Sequence, residues 1–343
     1  MKKPNNKHLR NAANERIKYK YRIHVARTSS KDEKTIIIIL KHLRHFESFI
    51  DFQDFRIFKD VVADKYIKHM INYGSKMSFI SDNIRALKEF LRWLERQRGY
   101  KAKINYNHID YLNISNNQKR IAKAAEYKKS YNYEQIFKAI RTMPEQSIVQ
   151  QRNKAIISLQ ALCGLRISEL RTIKIKSLIS EEGKYFIYLN PKDMEIKFAK
   201  TRNANFLNLP NDILQNFLNW FEYLKSKGFK DKDPLFPQVD SKFNQLNLLE
   251  PKITKIGIKS NTTIINAFKK AFESAGLDYL RPHSFRHTIV RYAERQSPEY
   301  LNAVRQSLGH SSIDTTFQSY GQLSTDEQRN RISNLDFAGN KQD

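Results

Sequence analysis

The sequence predicts a mainly α-helical protein with two domains and a small antiparallel β-sheet in the second domain. Apolar residues recur at spacings of three and four over most of the chain, which is the period of an amphipathic helix. One run, residues 184–189, is rich in aromatic and β-branched side chains and is typical of a strand. A polar, lysine-rich stretch at residues 113–130 shows neither pattern and predicts a linker between two regions that can each form a core.

The first region begins with a strongly basic segment. Residues 1–33 are polar and rich in lysine and arginine, so they predict a solvated tail, with ordering on DNA as the alternative. From residue 35 the pattern becomes helical, and the apolar positions are Ile36, Ile39, Leu40, Leu43, Phe46 and Ile50. Two more helices are predicted at residues 59–72 and 78–98. Residues 34–112 therefore predict a small, basic, all-helical domain.

The second region, residues 131–323, predicts a mostly helical domain around the small sheet. Residues 195–200 and 205–209 predict a hairpin whose turn is residues 201–204. A short helix is predicted to begin at Arg166, after Gly164 ends the helix before it. The other predicted helices are residues 133–143, 147–163, 211–227, 261–275, 283–295, 298–308 and 312–319. Residues 324–343 predict a C-terminal tail with one short helix.

The charge balance points to a polyanionic partner. The chain has 61 basic and 35 acidic residues, a formal charge of +26 and a pI near 9.9, and nucleic acid is the default candidate for such a protein. A membrane surface could also attract such a charge, but a membrane span is excluded because the longest apolar run, residues 36–40, is far too short to cross a bilayer. No secretory signal is recognisable, so we expect a cytoplasmic protein. Its single cysteine, Cys163, lies in an apolar stretch and predicts a buried free thiol.

Candidate chemical groups concentrate in the last sixty-odd residues. Residues 281–287 read Arg-Pro-His-Ser-Phe-Arg-His, residues 308–312 read Leu-Gly-His-Ser-Ser, and residues 316–321 read Thr-Phe-Gln-Ser-Tyr-Gly. Arginine presents a planar fork of donors that matches phosphate oxygens, histidine carries protons near neutral pH, and a tyrosine hydroxyl can act as a covalent nucleophile. Together these residues predict phosphoryl transfer without an obvious metal site.

The order and spacing of four segments resemble the tyrosine recombinases, or phage integrase family, and within it the Xer-like members without an added arm-binding domain. The segments are residues 164–170 (Gly-Leu-Arg-Ile-Ser-Glu-Leu), residues 283–287, residues 308–310, and Tyr320 after two threonines. The resemblance covers residues 35–320. It implies that residues 34–112 are a DNA-binding, core-binding domain and that residues 131–323 are the catalytic domain.

The resemblance also implies the site residues. Arg166 and Arg286 would hold the scissile phosphate, His283 and His310 would complete the pocket, and Tyr320 would be the nucleophile. Lys200, followed by Thr201, matches the lysine of the family's β-hairpin. Residues 203–205 (Asn-Ala-Asn) stand before the end of the hairpin at residues 206–210, where the family often has a basic residue, so Lys192 and Lys197 remain alternatives. The implied partners are double-stranded recombination sites and a homotetramer on synapsed DNA, with accessory proteins left open. No cofactor or metal is implied.

The physical chemistry of phosphodiester cleavage agrees with these roles. Attack adds negative charge to the non-bridging oxygens, so two arginine forks and a histidine donor stabilise the transition state more than the ground state. The tyrosine must lose a proton, which His283 could accept, and the departing 5′ oxygen needs a proton, which a lysine could supply. The phosphotyrosyl bond keeps the energy of the broken linkage, so no nucleotide cofactor is required.

Each candidate also has a plainer interpretation. Arg166 and Arg286 could be solvated surface residues, and Tyr320 could pack against Phe317. His283 and His287 have the spacing of a zinc pair, although the glutamate of a hydrolytic zinc helix is missing. His287 could be a packed core residue, and His310 could simply lie beside a helix C-cap. Glu169 could orient a neighbouring cation or be an ordinary exposed charge.

Two other functions remain open at the level of sequence. A type IB topoisomerase uses a similar pocket but relaxes supercoils without exchanging partners, and a basic DNA-binding protein could have lost its catalysis. The C-terminal tail could dock on a neighbouring subunit or fold back on its own domain, since amphipathic helices serve both purposes. The sequence does not choose between these two arrangements.

Overall fold

The computed structural model describes residues 10–29, 31–123, 129–196, 200–243 and 249–309, together with Arg329 and Ile332. The chain divides between Ala124 and Ala125 into two compact units. In the first unit the helices are α1 (Ala12–Thr28), α2 (Glu33–Phe49), α3 (Asp60–Asn72), α4 (Met77–Leu94), α5 (Tyr106–Asp110) and α6 (Asn116–Lys123). In the second unit they are α7 (Tyr133–Arg141), α8 (Ile148–Cys163), α9 (Ile167–Thr172), α10 (Asn211–Ser226), α11 (Asn261–Ser274), α12 (Ser284–Gln296) and α13 (Pro298–Leu308).

The predicted fold class is confirmed: helices dominate both units, and the second contains a small antiparallel sheet. This sheet has the order β1-β2-β3, with strands Leu178–Glu181, Lys184–Leu189 and Arg202–Asn205. A separate pair of strands, β4 (Pro237–Phe243) and β5 (Leu249–Gly257), was not predicted. Polar residues alternate irregularly in these two strands, so their sequence does not show the regular period of two that indicates a half-buried strand.

The core of the first unit confirms the predicted helical stripes. In α2 the residues at the predicted apolar positions Leu43 and Phe46 have no exposed surface, and neither have Leu87 and Phe90 in α4, which forms within the predicted helix at residues 78–98. Their side chains belong to one apolar cluster, and the Phe46 ring also packs edge-on against Tyr66 of α3. Burial of these aliphatic and aromatic side chains supplies the main driving force for assembling the unit.

The basic N-terminal segment is not a solvated tail throughout, and this prediction was wrong for residues 12–28. Asn11 caps α1 by accepting from the amides of Ala13 and Asn14, and the apolar side chains Ile17, Tyr21 and Val25 are buried at intervals of four residues. Polar groups also hold the helix: Lys18 pairs with the buried Glu47, and Asn14 bonds to the backbone of residues 53 and 55. The sequence prediction failed because polar residues occupy part of the buried face.

The stretch predicted as a linker also contains regular structure. Residues 116–123 form α6, which packs against α4. The helix begins with a capping box in which the Gln118 amide donates to Ser115 Oγ at 3.1 Å and the Ser115 amide donates to Gln118 Oε1 at 2.8 Å. Its asparagines and lysines suggested a loop, but a cap and tertiary packing outweigh weak intrinsic propensity.

Strand β3 corrects the predicted hairpin in the second unit. Residues 202–205, expected to form a turn, are themselves the strand and pair with β2 in the register Leu189↔Arg202 to Phe186↔Asn205. Ala204 is fully buried and Asn203 is exposed, as the alternation of a strand requires. Cys163 at the end of α8 is a buried free thiol, as predicted. Among the described residues no helix is long and apolar enough to cross a membrane.

A chain of hydrogen bonds connects two histidines of α2 through the core of the first unit. Asn83 Nδ2 lies 3.2 Å from His42 Nδ1, and its Oδ1 accepts from the Tyr66 hydroxyl at 2.8 Å. The Tyr66 oxygen lies 2.7 Å from His45 Nδ1. Since the amide nitrogen of Asn83 can only donate, His42 Nδ1 must be the unprotonated nitrogen. Burial lowers the pKa of both His42 and His45, and nearby histidine charges lower that of His45 further.

The first unit is therefore expected to lose stability as the pH falls below about 6.5, the ordinary histidine value. The lowered pKa values mean that the unfolded chain binds more protons than the folded chain in this range, so stability rises with pH and is lost on acidification. Trp93 reports on the first unit and Trp220 on the second. Urea unfolding followed by Trp93 fluorescence in a Trp220→Phe background should show this slope, and His42→Gln should flatten it. An equal slope in the two proteins would contradict the assignment.

Candidate active site

Arg166 lies at the junction of α8 and α9. Helix α8 ends at Gly164, which adopts φ 59° and ψ 45°, a left-handed conformation that glycine adopts at little cost. A Cβ at this position would lie only 2.7 Å from Ile289 Cδ1, so α12 packs closely against this turn. Arg166 then follows in an extended conformation as the N-cap of α9. Its side chain is 18% exposed, so it is largely buried and not a solvated surface residue.

Glu169 orients Arg166. Its carboxylate has no exposed surface; Oε2 accepts from the Arg166 amide at 2.8 Å, and Oε1 accepts from Arg166 Nη1 at 3.1 Å. Arg202 of β3 donates from Nη2 to the same Oε2 at 2.9 Å. Of the two interpretations offered for Glu169, exposure is therefore wrong, and orientation of a neighbouring cation agrees with the structure. One buried carboxylate connects two guanidinium groups from different parts of the chain.

Arg286 is a buried residue of α12 with no exposed surface. Its Nη1 donates to the Gly164 carbonyl at 2.7 Å, and its Nη2 donates to the Leu308 carbonyl at 2.8 Å. These bonds connect the C-terminal ends of α8 and α13, the helix ends that precede Arg166 and His310. The plain interpretation of Arg286 as a surface arginine is therefore wrong. The geometry brings Arg286 to the same Gly164 turn that positions Arg166.

His283 and His287 lie at the beginning of α12. His283 is exposed at the N-cap, and the preceding turn is held by Gln160 Nε2, which donates to the Pro282 carbonyl at 3.1 Å. His287 is 3% exposed, which agrees with the packed core position considered for it. The two rings meet edge to face with centroids 5.5 Å apart. Within the described ranges no group of three or more His, Cys, Asp or Glu side chains could hold a metal ion.

Lys200 is exposed and lies two positions before the first residue of strand β3. Two residues in extended conformation span about 6.6 Å. The backbone of Lys200 is therefore no farther from that of Arg202 than the length of a long side chain. Lys192 is exposed in the turn after β2, where its amide donates to Asn190 Oδ1 at 3.0 Å. Lys197 lies outside the described residues. The choice of Lys200 over its alternatives stays a prediction.

The last two candidate residues, His310 and Tyr320, lie outside the described residues. The structure does describe the residue before His310: Gly309 is the C-cap of α13 and adopts φ 70° and ψ 42°. A Cβ at Gly309 would lie 2.6 Å from both Cδ and Nε of Arg202. The turn that leads to His310 is therefore packed against the same arginine that bonds Glu169.

Arg202 is the residue that the sequence analysis missed. Burial lowers the pKa of this guanidinium to about 10; Glu169 opposes the shift, whereas the positive charges of Arg286 and Arg166 add to it. A basic residue two positions after Lys200 was a signal, because positions i and i+2 of a strand share one face. The shared face of Lys200 and Arg202 was not recognised because residues 201–204 were predicted to be a turn.

The model of the phage integrase family matches residues 126–327, a segment that includes every residue of the candidate site. The chain therefore belongs to the phage integrase family.

Tyrosine recombinase XerC of Bacillus pumilus is 27% identical over 266 residues, which cover 77% of this chain and 76% of that protein. The solved structure of XerH site-specific recombinase bound to difH substrate has a TM-score of 0.58 and 19% identity, and covers 88% of this chain and 79% of that one. The solved structure of a lambda integrase tetramer bound to a Holliday junction has a TM-score of 0.58 and 15% identity, and the match covers 87% of this chain and 77% of that one. At these identities the structures show a shared fold. Within the family, the chain is a Xer-like tyrosine site-specific recombinase.

Proposed function

We propose that the protein cleaves one DNA strand at a time by attack of Tyr320 on the scissile phosphate. The bond from phosphorus to the 5′ oxygen breaks, a 3′-phosphotyrosyl bond forms, and the free 5′ hydroxyl of another strand reverses the reaction. Exchange of strands in this way passes through a Holliday junction. The observation that carries the proposal is the buried cluster in which Arg166, Glu169 and Arg286 meet at the Gly164 turn.

The two arginines bind and stabilise the phosphate. Arg286 is fixed by carbonyls on two helix ends and Arg166 by a buried carboxylate, so neither fork has to reorganise when negative charge develops. Buried, preoriented donors interact more strongly with a phosphate than solvated side chains do. Such preorganisation is what distinguishes stabilisation of the transition state from simple attraction to the DNA backbone.

Protons move between side chains and the two reacting oxygens. Tyr320 gives up its hydroxyl proton on attack, and His283, exposed at the N-cap of α12, is proposed to accept it. The departing 5′ oxygen takes a proton from Lys200, which lies in the segment between β2 and β3. His310 is proposed to donate a hydrogen bond to a phosphate oxygen. No step in this scheme needs a metal ion or nucleotide, because the covalent bond to tyrosine conserves the energy of the phosphodiester.

The proposed substrate is a pair of double-stranded recombination sites, held by a homotetramer. Support comes from the charge of +26, which favours a polyanion, and from the similarity of fold to the lambda integrase tetramer on a Holliday junction. Residues 34–112 would bind DNA together with the catalytic domain, and residues 324–343 would dock on a neighbouring subunit. We propose that the protein acts on this DNA in the cytoplasm, with accessory proteins as a further class of partner.

Two measurements test the function. Genomic DNA trapped covalently on the purified protein identifies the recognition site, since only a cleaved strand remains attached after denaturation. Two labelled duplexes that carry this site are then incubated with the protein, and recombinant joints are expected. Relaxation of supercoiled DNA without recombinant joints would instead indicate the topoisomerase activity, and the absence of any covalent complex would contradict both.

Lys200→Ala is expected to slow cleavage about 10²- to 10⁴-fold, the usual contribution of a general acid. A duplex with sulfur in place of the 5′-bridging oxygen has a leaving group that needs no protonation, so it should restore most of the lost rate. Single-turnover formation of the covalent complex on the two duplexes measures the difference. Lys192→Ala is the matched control and should cleave both duplexes normally. A defect in Lys192→Ala that sulfur rescues would assign the role to Lys192.

A further inference from the structure

Arg202 of strand β3 is a buried cation with an incomplete set of partners. Its side chain is 8% exposed, and Nη2 donates to Glu169 Oε2 at 2.9 Å. Its Nε and Nη1 are buried and have no hydrogen-bond partner among the residues that the structure describes. Arg166 and Arg286 add two like charges to its surroundings, against the single negative charge of Glu169.

Stability alone does not explain this arrangement. Burial of a guanidinium beside two others costs free energy, and one shared carboxylate offsets only part of that cost. A buried ion pair is often no more stable than apolar side chains of the same size. Since β3 lies against an apolar core through Ala204, an apolar residue at position 202 would be an ordinary alternative. The arginine therefore calls for a functional explanation.

The contacts of Arg202 connect three parts of the site. Through Glu169 it reaches Arg166, because both guanidinium groups donate to the same carboxylate. Its Cδ and Nε lie against Gly309, so closely that a Cβ there would be only 2.6 Å away. Its own strand follows Lys200 by two residues.

A second bond joins the same strand to the end of α13. The amide of Asn205 donates to Ser307 Oγ at 3.0 Å, two residues before Gly309. Strand β3 therefore contacts both the Arg166 junction and the turn before His310. These contacts are independent of the pairing between β3 and β2.

We propose that Arg202 is a positioning residue for strand cleavage: through Glu169 and Gly309 it holds the phosphate-binding Arg166, the turn before His310 and the segment of Lys200 in one arrangement. The proposal rests on the proposed function. Arg202 itself is assigned no contact with the DNA, because its Nη2 donates to Glu169 and its Nε lies against Gly309. Without Arg202, Glu169 would be paired by Arg166 alone, and the Arg166 fork would be drawn toward the carboxylate and away from the phosphate.

Arg202→Met is the decisive variant, because methionine fills a similar volume without charge. We expect single-turnover cleavage to fall about 10²-fold, the effect of a displacement of roughly 1 Å at a reacting centre. Arg202→Lys keeps the charge and one bond to Glu169, so it should recover most of the rate. Asn203→Met places the same residue on the exposed face of the same strand and is the matched control, with unchanged cleavage expected.

Two further readouts separate positioning from a general loss of structure. The 5′-bridging sulfur duplex should restore Arg202→Met only in part, because it replaces the proton from Lys200 but not the contact of Arg166 with the phosphate. Glu169→Gln and Arg202→Met should be non-additive, with the double variant no slower than the slower single variant. Multiplicative losses, full rescue by sulfur, or cleavage by Arg202→Met at the rate of the unmodified protein would each overturn the proposal.

Cleavage by the unmodified protein distinguishes a failure of the proposed function from a failure of the positioning role of Arg202. If it forms no covalent complex with DNA, the proposed function is wrong. If it cleaves and Arg202→Met cleaves equally well, only the positioning role is wrong. Should Arg202→Met fail to fold, as judged by its thermal unfolding, Arg202→Gln, which also removes the charge, replaces it in the same test of non-additivity with Glu169→Gln.

Discussion

Tyr320→Phe is expected to bind the recombination site as the unmodified protein does and to form no detectable covalent complex. Phenylalanine keeps the aromatic ring but lacks the hydroxyl oxygen that would bond to phosphorus. Removal of a covalent nucleophile typically lowers the rate by about 10⁶-fold, which places any residual cleavage below detection. The measurement is the yield of protein attached to a labelled strand after denaturation, with a gel-shift titration of the same duplex as the binding readout.

The control for this variant is Tyr300 of α13, which is 64% exposed. Tyr300→Phe makes the same chemical change at a position with no proposed role and should leave the covalent yield unchanged. Recovery of the normal 3′-phosphotyrosyl product from Tyr320→Phe would show that another residue is the nucleophile. Loss of DNA binding together with cleavage would show that the hydroxyl has a structural role.

The sequence signals of the candidate site residues are local. Gly164 precedes Arg166 by two residues in the sequence. In the structure Gly164 ends α8 and Arg166 is the N-cap of α9. His283 and Arg286 lie in one turn of one helix, so their spacing alone places them together. Residue types at short, fixed spacings survive any uncertainty about where a helix begins or ends.

The partners of those residues could not be predicted in the same way. Arg202 meets Glu169 across 33 positions of sequence, and Arg286 meets the Gly164 carbonyl across 122 positions. Such contacts depend on how the elements pack, which no local pattern encodes. The same reason explains the error at α1, where Lys18 is buried and pairs with Glu47, 29 positions away. Buried charged residues are the positions at which polarity is a poor guide to exposure.

Arg286 has two roles that can be separated, one in the fold and one in the reaction. Its two bonds to the Gly164 and Leu308 carbonyls are buried, so they stabilise the ends of α8 and α13 as well as orienting the fork. A lysine retains the positive charge but offers a single nitrogen, which cannot reproduce the planar fork of arginine. Different substitutions at this one position should therefore affect stability and cleavage to different extents.

Arg286→Ala is expected to abolish cleavage and also to destabilise the second unit. Two buried carbonyls would lose their donors, at a cost of about 1–3 kcal/mol each, and the lost fork would slow cleavage at least about 10²- to 10³-fold. Arg286→Lys should recover part of the stability while cleavage stays low. Urea unfolding followed by Trp220 fluorescence in a Trp93→Phe background measures the first effect, and single-turnover cleavage measures the second.

The comparison of the two variants decides whether the catalytic role of Arg286 is real. If cleavage followed stability, so that Arg286→Lys recovered both in proportion, the arginine would act only by holding the two helix ends together. Exchange of the Gly164 and Gly309 amides with deuterium provides a local check, because loosening of the ends of α8 and α13 should raise exchange there in Arg286→Ala and much less in Arg286→Lys. Cleavage that remains low in a lysine variant with protected helix ends requires the guanidinium fork itself, since the positive charge and the fold would both be in place.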